Sequence, residues 1–149
     1  MLRVRTLAAL TAAAASGMLL LPTQAQAAGS VHLYKIYYDS PGTDRGGNYS
    51  LNGEWVQIRN TTAYAVNLRG WTLTDAANHK YTFGTFTLGA GKIVTVRTGK
   101  GTNNATSVFQ NRGWYVWNND KDTATLRKST GTWVDGCSYN STQVDYKWC

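Results

Sequence analysis

Lys92-Ile93-Val94-Thr95-Val96-Arg97-Thr98 carries the clearest β-strand signal in the chain. β-branched residues fill it, and such side chains favour extended backbone because they pack well on a pleated surface. Leu88-Gly89-Ala90-Gly91 leads into the run and a Gly/Asn/Thr loop, Gly99 to Thr106, follows it, so turn residues punctuate both ends. The same pattern recurs upstream in Glu54-Trp55-Val56-Gln57-Ile58-Arg59. There Val56 and Ile58 point one way and Trp55, Gln57 and Arg59 the other. Val31 to Tyr38 is a further run, whose apolar phase shifts between Leu33 and Ile36. That shift predicts a β-bulge or a strand covered on both faces.

Between and beyond these runs the chain continues in short β-rich pieces. Val66 and Leu68 form a brief element ahead of Arg69-Gly70-Trp71-Thr72-Leu73-Thr74, and Lys80-Tyr81-Thr82-Phe83 alternates strictly. Trp114-Tyr115-Val116-Trp117 reads as another strand. Thr123-Ala124-Thr125-Leu126-Arg127 faces Thr132-Trp133-Val134-Asp135 across Ser129-Thr130-Gly131, a hairpin signal. No segment keeps helical periodicity for long. About seven short strands with frequent turns predict an all-β, immunoglobulin-like β-sandwich in a single domain, with a small closed barrel as the alternative. The Cys…Trp…Cys spacing of antibody domains is absent, so the sandwich is expected without an inter-sheet disulfide.

The N-terminus has the layout of a secretory signal peptide. Arg3 and Arg5 precede an apolar run from Leu7 to Leu21; Pro22 follows, and Ala25-Gln26-Ala27 offers a cleavage site after Ala27. The run is shorter than the about 20 residues that span a bilayer. The expectation is residues 1–27 as signal peptide, residues 28–149 as the domain, and a secreted product. Past Ala27, 13 basic side chains face 8 acidic ones, and they are scattered rather than blocked. Cys137 and Cys149, in an exported chain, are expected to form one disulfide that ties the tail back onto the last strand.

Four pieces in order resemble the lamin tail domain family. They are Glu54 to Asn60; Leu68 to Asp75; Phe83 with Leu88–Gly91 and Ile93–Val96; and Val116 to Leu126 completed by Gly131 to Asp135. Together they span roughly Val31 to Tyr139. The resemblance implies an immunoglobulin-like sandwich, exported in bacteria alone or beside hydrolases, with no established catalytic or cofactor residues. Gln57 stands where many members carry a second Glu, and the Cys137–Cys149 tail is a local addition.

The side chains themselves offer little catalytic chemistry. Asp120 and Asp122 are close in sequence but fall in an exposed turn, not across a cleft. His32 and His79 belong to no nucleophile motif, and two cysteines with two distant histidines lack metal-ligand spacing. No enzyme, cofactor or metal is therefore expected. Asp39, Asp44, Asn48, Asn52 and Glu54 place five oxygen-bearing side chains in one Gly-rich loop, raw material for Ca²⁺, but they match no EF-hand and read foremost as a polar loop. Glu54, the only glutamate, is expected to cap a loop or pair with an Arg.

The aromatic load is the remaining lead, with six Trp and nine Tyr. Either they fill the sandwich, or some stand outside and stack on sugars or bases. Trp55, Tyr115 and Trp133 lie opposite in phase to Val56, Val116 and Val134; with Arg59, Arg97 and Arg127 they form the candidate binding face. The expected function is a non-catalytic interaction or structural module for a macromolecule: cell-wall polysaccharide or another cell-wall polymer, nucleic acid or an exported protein. The alternative is a carbohydrate-binding module with an exposed aromatic face.

Overall fold

The computed structural model describes residues 28–149; the expected signal peptide lies outside the described residues. Eleven strands and one short helix follow in order. They are β1 (Val31–Tyr37), α1 (Asn48–Leu51), β2 (Trp55–Asn60), β3 (Val66–Asn67), β4 (Thr72–Thr74) and β5 (Lys80–Thr82). Then come β6 (Thr87–Leu88), β7 (Ile93–Arg97), β8 (Ser107–Phe109), β9 (Lys121–Arg127), β10 (Trp133–Asn140) and β11 (Tyr146–Trp148). One sheet has the order β11-β1-β2-β7-β8, the other β10-β9-β4-β5, and β3 pairs β6. Two separate sheets make an immunoglobulin-like sandwich, not a closed barrel.

Alternation builds the core. Val56, Ile58, Val94 and Val96 point inward from β2 and β7, and Leu73, Ala124 and Leu126 meet them from β4 and β9, all buried. Each buried Val, Leu or Ile among them stabilises the fold by about 1.5–3 kcal/mol. Trp71 and Trp117 are also buried, so two of the six tryptophans fill the core and four do not.

The predicted bulge is present: β1 slips against β2 between Leu33 and Lys35. A second bulge interrupts β10 between Trp133 and Asp135. The two bulges meet at the seam between the sheets. The Asp135 carboxylate accepts the Leu33 backbone N–H at 2.8 Å, a donor on the β1 edge that β11 does not reach. One neighbour of each bulge is thereby joined across the sandwich.

Three expectations need correcting. Trp114–Trp117 is not a strand, because the Glu54 carboxylate takes the backbone N–H groups of Val116 (2.7 Å) and Trp117 (3.4 Å) that a sheet partner would need. Asp122 is buried rather than exposed, and it accepts N–H bonds from Ala76, Asn118 and Thr123. The Cys137–Cys149 disulfide forms, but it does more than hold the tail to the last strand. The tail becomes β11 and pairs with β1 of the opposite sheet, so the bond from β10 joins the two sheets at their edge. The sandwich therefore has an inter-sheet disulfide after all, outside its centre.

Candidate binding surface

The outer face of the five-stranded sheet begins with the β1 bulge. An extra residue there turns two consecutive side chains, Tyr34 and Lys35, to the same outer side. Register then decides their neighbours. Tyr37 lies opposite Tyr146 on one side and Trp55 on the other, and Lys35 lies opposite Trp148 and Gln57. Trp55 in turn lies opposite Arg97, and His32 opposite Arg59. Cross-strand neighbours of this kind sit about 4.5–5.5 Å apart at Cβ, so their rings touch.

The contacts follow that register. Tyr37 stacks on Trp55 with centroids 5.4 Å apart and planes 25° apart, and on Tyr146 at 6.2 Å and 22°. Tyr34 meets Trp148 edge to face at 5.2 Å. The Lys35 ammonium stands 4.1 Å from the Tyr146 centroid and 4.3 Å from that of Trp148, and the Arg59 guanidinium 5.3 Å from Tyr34. Cations held over ring faces contribute about 0.5–1 kcal/mol each at such exposed sites, so this face is preassembled. Arg97 is anchored differently, donating to the Asn52 carbonyl at 2.8 Å.

The six expected face residues do not share one surface. Trp55, Arg59 and Arg97 stand together on β2 and β7. Arg127 and Trp133 lie opposite one another on β9 and β10, in the other sheet. Tyr115 belongs to neither face, and its hydroxyl is 2.7 Å from that of Ser50 at one end of the sandwich. Tyr34, Lys35, Tyr37, Tyr146 and Trp148 are the members that sequence reasoning missed. The i, i+2 spacing of Tyr146 and Trp148, and of Lys35 and Tyr37, was the available signal.

Four of the five oxygen-bearing side chains of the acidic loop are engaged in structure. Asn48 and Asn52 bind the backbone of Lys100, Asp44 accepts from Asn119, and Glu54 is buried beneath them. Among the described residues no group of three or more His, Cys, Asp or Glu side chains is placed to hold a metal. Burial pushes the Glu54 carboxyl up to about 7, against the opposing pull of its N–H bonds from Val116 and Trp117. Glu54 is thus the loop cap that the sequence suggested.

The histidines separate two halves of a catalytic arrangement. His32 Nδ1 is 3.2 Å from the Ser30 hydroxyl, in a cleft of about 440 Å³ shared with Tyr64, Trp71 and Lys128. His79 Nδ1 is 2.6 Å from the Asp75 carboxylate. Neither ring has both a hydroxyl and a carboxylate partner, the combination that a hydrolytic triad needs.

No curated protein matches the chain. The family model for the lamin tail domain matches residues 24–141. That span takes in both sheets except β11, whose strand and disulfide partner Cys149 fall beyond it. The family consists of non-catalytic, immunoglobulin-like binding or structural domains. The match covers well over half of the chain and strands of both facing sheets, and this chain belongs to the lamin tail domain family.

Proposed function

We propose that the protein is an exported, non-catalytic module that holds a phosphate-bearing anionic polymer on the outer face of its five-stranded sheet. One observation carries this: the β1 bulge and the β11 tail gather Lys35 and Arg59 among the rings of Tyr34, Tyr146 and Trp148 on a single face. Cations supply attraction to phosphate that weakens with salt through counterion release. Ring edges and partly open faces supply stacking that tolerates any base or sugar. Nucleic acid and phosphate-containing cell-wall polymers share the chemistry. Export is supported by the apolar leader in residues 1–27 and by a disulfide that an oxidising compartment sustains.

The test is retention on DNA, purified cell wall and neutral polysaccharide at low and high salt, for the natural protein and a Lys35→Ala/Arg59→Ala variant. Retention on the anionic polymers at low salt, lost at high salt and weakened in the variant, is the expected result. Absence of retention at low salt, or equal retention by the variant, overturns the proposal. Salt-resistant retention on the neutral polymer that depends on Trp55 or Trp148 would reassign the face to sugar stacking.

A further inference from the structure

The opposite outer face has a different chemistry. On β4, β5, β9 and β10 six outward positions are hydroxyl residues. Thr72 lies opposite Thr82, Thr74 opposite Thr125, and Thr123 opposite Ser138, with the last two hydroxyls 2.8 Å apart. Sheet geometry spaces such groups about 4.8 Å apart across strands and about 6.6 Å along them. Each hydroxyl both donates and accepts, which suits a partner made of hydroxyls.

Trp133 lies at the edge of this field. It is 57 % exposed, and its ring reaches over Gly136 of its own strand. A Cβ placed on Gly136 would stand 3.6 Å from Cζ2 and 3.7 Å from Nε1 of the indole, an ordinary contact along one edge of the ring. The ring lies along β10 with more than half of the residue open to solvent. The bulge that follows Trp133 turns Asp135 away to the Leu33 N–H, so the nearest carboxylate is engaged at the seam. Arg127, opposite Trp133, donates to the Gly131 carbonyl at 3.1 Å and is exposed, with further N–H donors free to turn outward.

From this arrangement we infer that the face is a second, separate binding site, for a neutral, extended polysaccharide. The apolar C–H face of a sugar ring stacks on the open side of Trp133. Neighbouring sugars run over Thr125 and Thr74, whose hydroxyls exchange hydrogen bonds with theirs, and Arg127 donates to ring or hydroxyl oxygens at the Trp133 end. A protein partner fits less well, because the cores of protein interfaces cluster several large apolar anchors and Trp133 stands here among threonines. A polyanion fits less well too. Lys80, Lys121 and Arg127 stand at the ends of their strands, and Thr74, Thr123 and Thr125 between them carry no charge.

The experiment is retention of the purified full-length mature protein on microcrystalline cellulose, chitin and insoluble xylan at high salt. Four proteins are compared: natural, Trp133→Ala, Gly136→Val and Lys35→Ala/Arg59→Ala. Far-UV circular dichroism and an unchanged melting temperature establish that each is folded. The expected result is retention on at least one polymer, reduced at least roughly tenfold by Trp133→Ala, the scale of one lost anchor. Gly136→Val, whose added methyls beyond the Cβ press on the ring edge without removing the ring, gives the same direction, and the Lys35/Arg59 variant binds as the natural protein does. No retention on any of the three, or equal retention without the Trp133 ring, overturns the inference. Because the Lys35/Arg59 variant alters only the other sheet, failure here and failure of the anionic-polymer proposal give different patterns.

Discussion

Trp55 and Trp133 are the same residue on equivalent outward positions of the two sheets, and they meet opposite fates. Trp55 is half-buried against Tyr37 and borders Arg97, while Trp133 lies beside a glycine and is mostly exposed. A β-bulge lies near each. In β1 the extra residue sends Tyr34 and Lys35 outward together, which crowds that face with rings and cations. In β10 the bulge leaves Val134 against the core and Asp135 at the seam, so the outward side next to Trp133 is left to Gly136. The difference teaches that a tryptophan's role is set by its cross-strand neighbours in register, not by its phase along its own strand.

The largest test of this contrast removes the inter-sheet bond. Cys137→Ser/Cys149→Ser is expected to lower stability by about 3 kcal/mol on the chain-entropy account, read by urea denaturation. It should also free β11, taking Tyr146 and Trp148 from the five-stranded face while leaving Trp133 in place. Loss of binding on both faces together would break the comparison.

Glu54 serves as a control that belongs to neither face. Its folded-state pKa of about 7 lies above the ordinary 4.5, so the unfolded chain releases this proton first. The stability it contributes is fully present below about pH 4.5 and is lost as pH rises through 7, a change of the order of 3 kcal/mol. Glu54→Gln keeps an oxygen for the Val116 and Trp117 N–H groups and does not titrate. The melting temperature of the natural protein is expected to fall more steeply between pH 5 and 8 than that of the variant. Parallel curves would show that the carboxyl is not held neutral.

Smaller effects separate the two tryptophans directly. Trp55→Ala should cost about 1–2 kcal/mol, since it removes a stacked partner as well as buried area. Trp133→Ala should fall within about 0.5 kcal/mol of the natural protein, as exposed substitutions do. Equal costs, measured by chemical denaturation, would mean that Trp133 is packed after all.

Much of the fold was legible from alternation. The outward and inward sets of β2 are as the pattern predicts, and the β1 bulge was visible as a shift in apolar phase. Hairpin β9–β10 also stands where its turn residues placed it. The misses have a common cause. β8 and β11 are three residues long and owe their extended form to a partner, β8 running parallel to β7 and β11 lying on β1. Trp114–Trp117 has strand composition, yet a buried carboxylate claims its N–H groups first. Composition records preference, and it carries no information about which partner reaches a donor.

By itself, then, the sequence determined what short-range physics controls: which residues extend, where the chain turns, which side of each strand is apolar, and that two late cysteines would pair. Only the tertiary structure decided which strands became neighbours. That choice divided five of the six proposed binding residues between two opposite faces and left Tyr115 on neither, brought Lys35 under Tyr146 and Trp148, and made a tail bond into a link between sheets. The physical reason is that a binding surface is assembled across strands, from residues as far apart in the chain as Tyr37 and Tyr146, and the register that joins them is settled only when the core closes.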